Sequence, residues 1–376
     1  MSKKENFQIR DVFNQETLHS LGNRLKKAYP EGNLAKFKKI ALNQLTALTY
    51  SGRKSQIVTA LESFLPPDFL KAAHILINAL PPPYEDHSIS ESMDRFIVVP
   101  MAEYIAIYGL DNPEISLQIL KSMTQCFTAE WAIRPFLIHH REMTMKTLHA
   151  WTKDNNEHVR RLVSEGSRPY LPWGKKLAFV ADNPTITLPL LAKMKTDSSE
   201  YVRRSIANHL NDLSKNHPDL IIQELKKWQL ESPSQEMTKM IKHALRTTIK
   251  NGHPEALDMI GFKHGVKVKV TDIDFSSEIP FGSDLLFTIT LLSNEKMQVP
   301  IHLDFIIHYQ KNSGKTQPKV FKLKSLIIKP GETISVRKKI SFRPITTRKY
   351  YPGTHFLQIL INGKKTKKQP FKLLAP

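Results

Sequence analysis

The sequence predicts a mainly α-helical protein. A solenoid of stacked helix pairs (residues 1–262) is followed by a small β-sandwich of immunoglobulin-like type (residues 265–376). Three observations support this prediction: a repeat with a 43-residue period, apolar residues at three- and four-residue steps around it, and a period of two in the last hundred residues. We expect the domain boundary near Phe262 to Gly265, where the hydrophobic period changes.

The 43-residue repeat joins two segments of similar pattern. The first contains Asp154, Glu157, Val159, Arg160 and Arg161, and the second contains Asp197, Glu200, Val202, Arg203 and Arg204. Self-similarity at a fixed period is typical of stacked helix pairs. Both copies carry two arginines at the same helical phase, which suits a protein that follows a polyanion such as DNA. The alternative is a ladder of ion pairs between repeats, in which the arginines meet Glu157 and Glu200.

Helix start signals define the elements around the repeat. Asp111-Asn112-Pro113 and Asp182-Asn183-Pro184 each place a capping side chain before a proline, which has no N–H to satisfy in the first helical turn. Apolar residues at helical spacing follow both signals. We expect three partner helices to begin near Ala129, Asn156 and Ser199.

The last hundred residues have the pattern of short strands. Apolar residues alternate in 301–309, 334–342 and 357–361, and Asn362-Gly363 predicts a type I′ hairpin turn. Five or more short strands within about 110 residues indicate an immunoglobulin-like sandwich. No disulfide supports this prediction, because Cys126 is the sole cysteine.

Charge narrows the possible partners. The chain of 376 residues carries a formal net charge of +20, which favours a nucleic acid or an anionic membrane surface over an acidic small substrate. Residues 271–376 alone hold 18 Lys and Arg against 7 Asp and Glu. There is no run of 18 apolar residues and no apolar signal segment, so we expect a cytoplasmic protein without a membrane partner.

A lysine cluster follows the predicted hairpin turn and consists of Lys364, Lys365, Lys367 and Lys368. On a protruding hairpin these lysines would be able to enter a DNA groove. The alternative is that they only protect an edge strand from pairing with other chains. The charge pattern does not decide between these two roles.

Motifs for cofactors and metals are missing from the sequence. It contains no glycine-rich phosphate loop and no HExxH zinc motif, and adjacent histidines such as His139 and His140 point about 100° apart on a helix. One cysteine excludes the zinc site of nucleobase deaminases. We therefore expect neither a metal nor a cofactor.

Three features remain as candidates for a functional site. They are Glu130, the Pro- and Gly-rich loop 164–174 that presents Trp173, and Asp212. On a helical projection Asp212 lies opposite the apolar stripe of its helix, which alone predicts nothing more than a solvated face. Trp173 likewise has a simple alternative, packing over a helix end. Because the three lie in successive repeats, a solenoid would be able to present them on one surface.

The segment from Glu130 to Pro218 resembles the AlkC branch of the AlkC/AlkD-like DNA glycosylases. The matching stretches are Glu130-Trp131-Ala132-Ile133-Arg134-Pro135, Ser164-Glu165-Gly166-Ser167-Arg168-Pro169, Leu171-Pro172-Trp173-Gly174 and Asn208-His209-Leu210-Asn211-Asp212-Leu213-Ser214-Lys215. Some members of this branch also carry an immunoglobulin-like C-terminal domain.

The resemblance implies a HEAT-like α-solenoid and a specific activity. A member of this family would hydrolyse the N-glycosidic bond of cationic N3-alkylated bases, 3-methyladenine and in some members 3-methylcytosine, in bent double-stranded DNA. Deep base flipping and lyase activity are not expected, and a monomer suffices. By resemblance Glu130 and Asp212 would be the active-site carboxylates, Trp173 would pack against the deoxyribose, and Arg168 would contact a phosphate. Without the resemblance, a non-enzymatic scaffold that binds nucleic acid or protein would be the leading prediction.

Overall fold

The structure, a computed structural model, describes residues 7–84, 93–346 and 348–375. Contacts divide the chain into two units, residues 1–216 and residues 217–376. In the described residues the first unit contains helices only, and the second combines helices with two β-sheets. No helix among the described residues has the length and apolar character needed to cross a membrane.

Helices of the first unit stack as neighbouring pairs, for example Leu34–Leu42 on Tyr50–Phe64 and Glu157–Gly166 on Glu200–Leu213. This HEAT-like solenoid confirms the predicted helical fold class. The helices are α1 (Gln15–Ala28), α2 (Leu34–Leu42), α3 (Tyr50–Phe64), α4 (Phe69–Asn78), α5 (Val98–Tyr108), α6 (Pro113–Cys126), α7 (Arg134–His139), α8 (Arg141–Trp151), α9 (Glu157–Gly166), α10 (Ala178–Asp182), α11 (Leu188–Lys193) and α12 (Glu200–Leu213).

The 43-residue repeat corresponds to a shared way of starting a helix. Asn156 caps α9 and Ser199 caps α12, in each case through a side-chain oxygen that accepts a first-turn N–H. Asp154 and Asp197 stand two residues earlier, and the carboxylate of each accepts the N–H of the cap residue at 2.9 Å. The repeated aspartates therefore shape the turn before the helix.

The first arginine of each repeated pair ties the helix back to that turn. Arg160 Nη1 donates to the carbonyl oxygens of Asp154 and Asn155 at 2.8 and 3.0 Å. Arg203 Nη1 makes the two equivalent bonds, 43 residues later, at 2.6 and 2.8 Å. Part of the repeat is thus explained by local folding, before any role in binding is considered.

Some helices begin where the sequence predicts, and one begins later. Helix α6 begins at Pro113, as predicted, and α9 and α12 begin directly after Asn156 and Ser199. The partner expected near Ala129 begins later, at Arg134, because residues 130–133 form turns that deliver Glu130.

The second unit contains four helices and nine strands in its described residues. The helices are α13 (Pro218–Glu231), α14 (Gln235–Ala244), α15 (Arg246–Lys250) and α16 (Pro254–Asp258). The strands are β1 (Val268–Phe275), β2 (Glu278–Ile279), β3 (Asp284–Ser293), β4 (Val299–Gln310), β5 (Thr316–Ile328), β6 (Thr333–Ser341), β7 (Gly353–Ile361), β8 (Lys364–Lys365) and β9 (Gln369–Leu373).

Two sheets form the sandwich of the second unit. One has the strand order β1-β3-β6, and the other has the order β2-β9-β7-β4-β5, with β8 paired to β7. A shared apolar core that includes Phe287, Phe305 and Phe371 lies between them. This arrangement confirms the immunoglobulin-like prediction.

The secondary structure changes from helix to strand between Asp258 and Val268, but the division into units falls earlier, after Asn216. The earlier division is explained by contacts between the larger sheet and residues that precede its strands. His302 on β4 contacts Phe262 with ring centroids 5.1 Å apart, and Asn362 Nδ2 donates to the carbonyl of Lys263 at 2.8 Å. Segments that precede the strands in the chain therefore pack with the sandwich.

Candidate functional site

A row of alternating charges lies in the first unit and begins at Glu130. Arg161 Nη1, on α9, is 2.6 Å from Glu130 Oε2 and 2.8 Å from Thr128 Oγ1. The Thr128 hydroxyl in turn donates to Glu130 Oε2 at 3.0 Å. Glu130 is only 8% exposed, and Arg161 and Thr128 hold its carboxylate in place.

Glu165 forms the middle of this row. Its Oε1 accepts from Arg168 Nη1 at 2.6 Å and lies 3.7 Å from Arg161 Nη2, and its Oε2 accepts from Ser205 Oγ at 2.7 Å. Burial opposes ionisation of Glu165, but Arg161, Arg168 and the Ser205 hydroxyl outweigh it and lower the pKa of the carboxyl. Sequence reasoning missed this residue, although the Glu165/Arg168 spacing of three on a helix end was a usable signal.

Asp212 completes the row at the C-terminal end of α12. Arg168 donates to Asp212 Oδ2 through Nε at 2.8 Å, with Nη2 also 2.8 Å away, and Lys215 Nζ is 2.7 Å from Oδ1. Asp212 is 2% exposed, so the interpretation of a solvated helix face is wrong. The projection placed it correctly away from the apolar stripe, but the neighbouring repeat covers that side.

The charges in this row balance. Three carboxylates, Glu130, Glu165 and Asp212, face three cations, Arg161, Arg168 and Lys215. For Arg168, burial lowers the pKa, and the attraction of Glu165 and Asp212 outweighs this and raises it. Within these ion pairs the negative charge of the three carboxylates is therefore already compensated by the protein's own cations.

Trp173 lies on the loop that follows Arg168, five residues further along the chain. It is 73% exposed, so packing over a helix end does not describe it. Its φ of 61° lies in the left-handed region, which is uncommon for a bulky residue and indicates a constrained backbone. Two rings flank it: Tyr50 at 5.6 Å and Trp131, stacked, at 6.5 Å between centroids. Trp131 Nε1 also donates to the carbonyl of Pro172 at 3.0 Å, which fixes the residue before the turn.

Arg134 holds both ends of the loop that carries Trp173. Its fully buried guanidinium donates to the carbonyl oxygens of Gly166 and Arg168 at 2.8 Å each, and to that of Lys175 at 2.7 Å. Burial and nearby Arg168 lower the pKa of Arg134 to about 10, so it stays charged at neutral pH. Sequence reasoning did not assign it a role, because a buried arginine that binds carbonyls leaves no pattern.

The repeat arginines have separate surroundings. Arg160 forms a bond between repeats, with Nε 2.6 Å from Asp197 Oδ2, so a ladder partly exists, though with an aspartate rather than Glu157 or Glu200. Arg204 pairs with Glu200 within its own helix at 3.0 Å, and both side chains are mostly exposed. Arg204 is therefore the repeat arginine most open to an outside anion, while Arg161 and Arg168 are committed to carboxylates.

The lysine cluster of the second unit follows a turn of the predicted kind. Asn362 and Gly363 both have positive φ, 45° and 80°, as a type I′ turn requires. The turn is not a protruding finger, however. Asn362 is fully buried, and a Cβ built on Gly363 would lie 2.4 Å from the carbonyl oxygen of Gly252.

The lysines after the turn are nevertheless exposed. Lys364, Lys365 and Lys367 line an open pocket of about 540 Å³, together with Lys269 and other residues of β1. Four lysines against one carboxylate, Asp272, give this pocket a net positive potential that would attract a phosphate group.

Within the described ranges, no group of three or more His, Cys, Asp or Glu side chains is arranged to hold a metal ion. The single cysteine, Cys126, is buried, and burial raises the pKa of its thiol to about 11.

His209 lies in the interior beneath the charged row. It is fully buried, and its Nδ1 is 2.9 Å from the carbonyl oxygen of Ser164, which only accepts, so Nδ1 carries the proton. The neutral ring then accepts at Nε2 from the Thr187 hydroxyl at 3.2 Å. Burial lowers the pKa of His209 to about 4.

This environment predicts a loss of stability in mild acid. The pKa is about 4 in the folded protein and about 6.5 in the unfolded chain. The unfolded state therefore binds more protons between these values, and stability, complete above pH 6.5, falls as the pH drops. We expect His209 to cost about 2 kcal/mol between pH 7.5 and 5.

His209→Asn isolates this contribution, because burial also lowers the pKa of His308 and His355. Asparagine still donates to the Ser164 carbonyl but does not titrate. Chemical denaturation at several pH values should show a flatter pH dependence for the variant. Parallel curves for the two proteins would contradict the assignment.

Comparison with known proteins identifies the family to which the chain is similar. Residues 269–375 match the family described as "Uncharacterised protein YhaZ, C-terminal Ig-like domain". Uncharacterized protein YhaZ of Bacillus subtilis (strain 168) is 35% identical over 358 residues, which cover 95% of this chain and 96% of YhaZ. The solved structure of Pseudomonas fluorescens alkylpurine DNA glycosylase AlkC, bound to DNA containing an abasic site analog, matches with a TM-score of 0.88 and 34% identity over 98% of this chain and 100% of that one. The chain therefore belongs to the AlkC branch of the AlkC/AlkD-like HEAT-repeat family, with a C-terminal immunoglobulin-like domain.

Proposed function

We propose that the protein is a DNA glycosylase. It hydrolyses the N-glycosidic bond of cationic N3-alkylated bases, 3-methyladenine above all and 3-methylcytosine as a second substrate, in bent duplex DNA. It does so without deep base flipping, lyase activity, metal or cofactor, and acts as a monomer in the cytoplasm.

One observation carries this proposal: an exposed, conformationally constrained Trp173 lies on the loop that follows Arg168, which holds the buried Asp212, in a protein similar to AlkC over 98% of its length. A scaffold requires exposed complementary surface, and has no need to bury Glu130 and Asp212 at 8% and 2% exposure. Burial of paired charges costs free energy unless geometry compensates, so a charged row of this kind is more typical of a site than of a binding face.

The proposed reaction needs little acid catalysis from the protein. An N3-alkylated purine already carries positive charge, so it leaves without protonation, and the deoxyribose develops oxocarbenium character. In the proposed mechanism Asp212 and Glu130 stabilise that charge and orient the attacking water, as carboxylates do in glycoside hydrolysis. The face of Trp173 packs against the deoxyribose and adds a favourable cation–π interaction of about 0.5–2 kcal/mol.

We propose that Arg168 orients the catalytic carboxylate and does not serve mainly as a phosphate contact. Its 7% exposure and its bonds to both Glu165 and Asp212 support this role. Arg161 has the same relation to Glu130. Arg204, Arg203 and Arg160 stay candidates for DNA contacts, with Arg204 the most exposed of them.

We also propose that the lysine cluster binds the DNA backbone. Changing Lys364, Lys365, Lys367 and Lys368 to glutamine should weaken binding at low salt. Every lysine that pairs with a phosphate contributes about 0.9 to the slope of log K against log salt, so the slope should fall by about two to four. Binding of a duplex over a salt series by fluorescence anisotropy measures this.

A matched control removes four exposed lysines from the helices of the same unit: Lys226, Lys227, Lys239 and Lys242. It has the same net charge as the first variant. Equal slopes for the two variants would show that only the overall charge matters and would leave edge-strand protection as the role of the cluster.

The test of the reaction itself uses methylated duplex DNA, incubated with the purified protein and then split in two. A glycosylase without lyase activity produces abasic sites, so strands break only in the half treated with alkali. Breaks in the untreated half would contradict the hydrolytic mechanism. A scaffold would leave both halves equal to the control without protein.

A further inference from the structure

The two oxygens of Asp212 have partners of different kinds. Oδ2 is held by Arg168 through Nε and Nη2, both at 2.8 Å. Oδ1 accepts from Lys215 Nζ at 2.7 Å. The side chain of Arg168 is 9% exposed and that of Lys215 is 39% exposed. One oxygen is therefore fixed from inside the protein and the other is covered by a cation that solvent reaches.

These two pairs differ in how readily they separate. Arg168 also holds Glu165 at 2.6 Å, so moving it would take a charged partner from two buried carboxylates at once, which is strongly unfavourable. Lys215 is a point charge on a flexible stem, and pairs with an exposed ammonium contribute little to stability. Any opening of Asp212 should therefore occur at Oδ1, by movement of Lys215.

A second positive group lies next to Lys215. Lys215 Nζ and Lys176 Nζ are 5.4 and 5.3 Å from the centroid of the same ring, Tyr170. The Tyr170 hydroxyl accepts from Asn216 Nδ2 at 2.6 Å, which fixes the ring between them. Two lysines around one aromatic face form a cationic patch that attracts a phosphodiester group.

The proposed chemistry requires Oδ1 to be free. A developing oxocarbenium ion is stabilised by a carboxylate only to the extent that the carboxylate is not already neutralised, and here both oxygens face cations. We propose that Lys215 caps Asp212 in the free protein and exchanges this carboxylate for a phosphate oxygen of bound DNA, which opens Asp212 Oδ1 toward the nucleotide. The inference rests on the proposed function, and it makes the charged row active only when DNA is present.

A double-mutant cycle on DNA binding tests the exchange. If Lys215 has to leave Asp212 in order to bind DNA, Asp212→Asn removes that cost and should tighten binding of a duplex with a tetrahydrofuran abasic site by about three-fold. In a Lys215→Met background the gain should vanish, because no lysine is released. Lys215→Met alone should weaken binding and lower the salt slope by about one, and Lys215→Arg should restore the slope.

Lys176→Met is the matched control. It removes the same charge from the same ring, but Lys176 lies against Tyr170 without forming an ion pair with Asp212 in the described residues. The gain from Asp212→Asn should therefore persist in this background. Should the gain be equal in all three backgrounds, Asp212→Asn acts only by removing a negative charge near DNA, and the exchange is overturned. If Asp212→Asn does not fold, an unchanged salt slope in Lys215→Met overturns it instead.

The double-mutant cycle measures DNA binding alone, so it tests the exchange of Lys215 separately from the proposed glycosylase activity. Wild-type base release without coupling between Asp212 and Lys215 would refute only the exchange. A wild-type protein that releases no base refutes the proposed function, whatever the coupling.

Discussion

Asp212→Asn is expected to lower the rate of base release from methylated DNA by about two to three orders of magnitude. Asparagine keeps an oxygen that accepts from Arg168, so the loop and α12 should stay in place, but it carries no charge to stabilise the sugar cation. DNA affinity should change by no more than a few-fold. Single-turnover base release and duplex binding measure the two effects separately.

Asp197→Asn is the matched control for this change. The side chain of Asp197 is only 6% exposed and also pairs with an arginine, Arg160, at 2.6 Å, but it shapes the turn before α12 and lies outside the charged row. We expect a loss of stability and little change in the rate of base release by the folded protein. Equal rates for Asp212→Asn and wild type would remove Asp212 from the mechanism.

Arg134→Met is expected to be the most damaging change outside the carboxylates. It deletes the charged donor for the carbonyl oxygens of Gly166, Arg168 and Lys175, all at the ends of the Trp173 loop. Buried carbonyls without partners should lower the free energy of unfolding by about 3 kcal/mol or more. Base release should fall as well, because the backbone that fixes Trp173 loses its anchor.

Arg204→Met provides the comparison. Arg204 is 64% exposed and pairs along its own helix with exposed Glu200, so its removal should change the free energy of unfolding by about 0.5 kcal/mol or less. Denaturant titration of both variants checks the contrast. Similar stability of the two would mean that Arg134 does not anchor the loop.

Local signals in the sequence predicted local structure well. The proline after Asn112 begins α6, and Asn156 and Ser199 cap their helices. Asn362 and Gly363 form the predicted turn, with the positive φ values that a type I′ turn requires. These helix starts, caps and turns depend on only a few neighbouring residues, so they can be recognised in the sequence.

The site itself could be predicted only in outline. A helical projection shows the direction of Asp212 relative to the apolar stripe, but not that Arg168, 44 residues away, covers it. Nor does any local pattern link Arg161 to Glu130 or predict that Trp173 takes a left-handed backbone. These features depend on how successive repeats stack. Sequence patterns named Glu130, Trp173 and Asp212 as candidates, but only the resemblance to a family suggested a role for each of them.

The same limit explains why the hairpin turn was predicted correctly but its protrusion from the domain was not. A lysine run after a tight turn suggests an extended finger, yet the turn packs against Gly252 and Lys263. The lysines remain exposed, so their charge is available for binding, but they are displayed on a fixed surface.

The most direct test of the account is to identify what the protein releases from alkylated DNA. Purified protein is incubated with methylated duplex DNA, and the freed bases are separated by chromatography against standards. We predict release of 3-methyladenine well above the spontaneous rate for the wild type, and a rate lower by about two to three orders of magnitude for Asp212→Asn. Release at the spontaneous rate by the wild type, with DNA binding intact, would contradict the central claim and favour a scaffold.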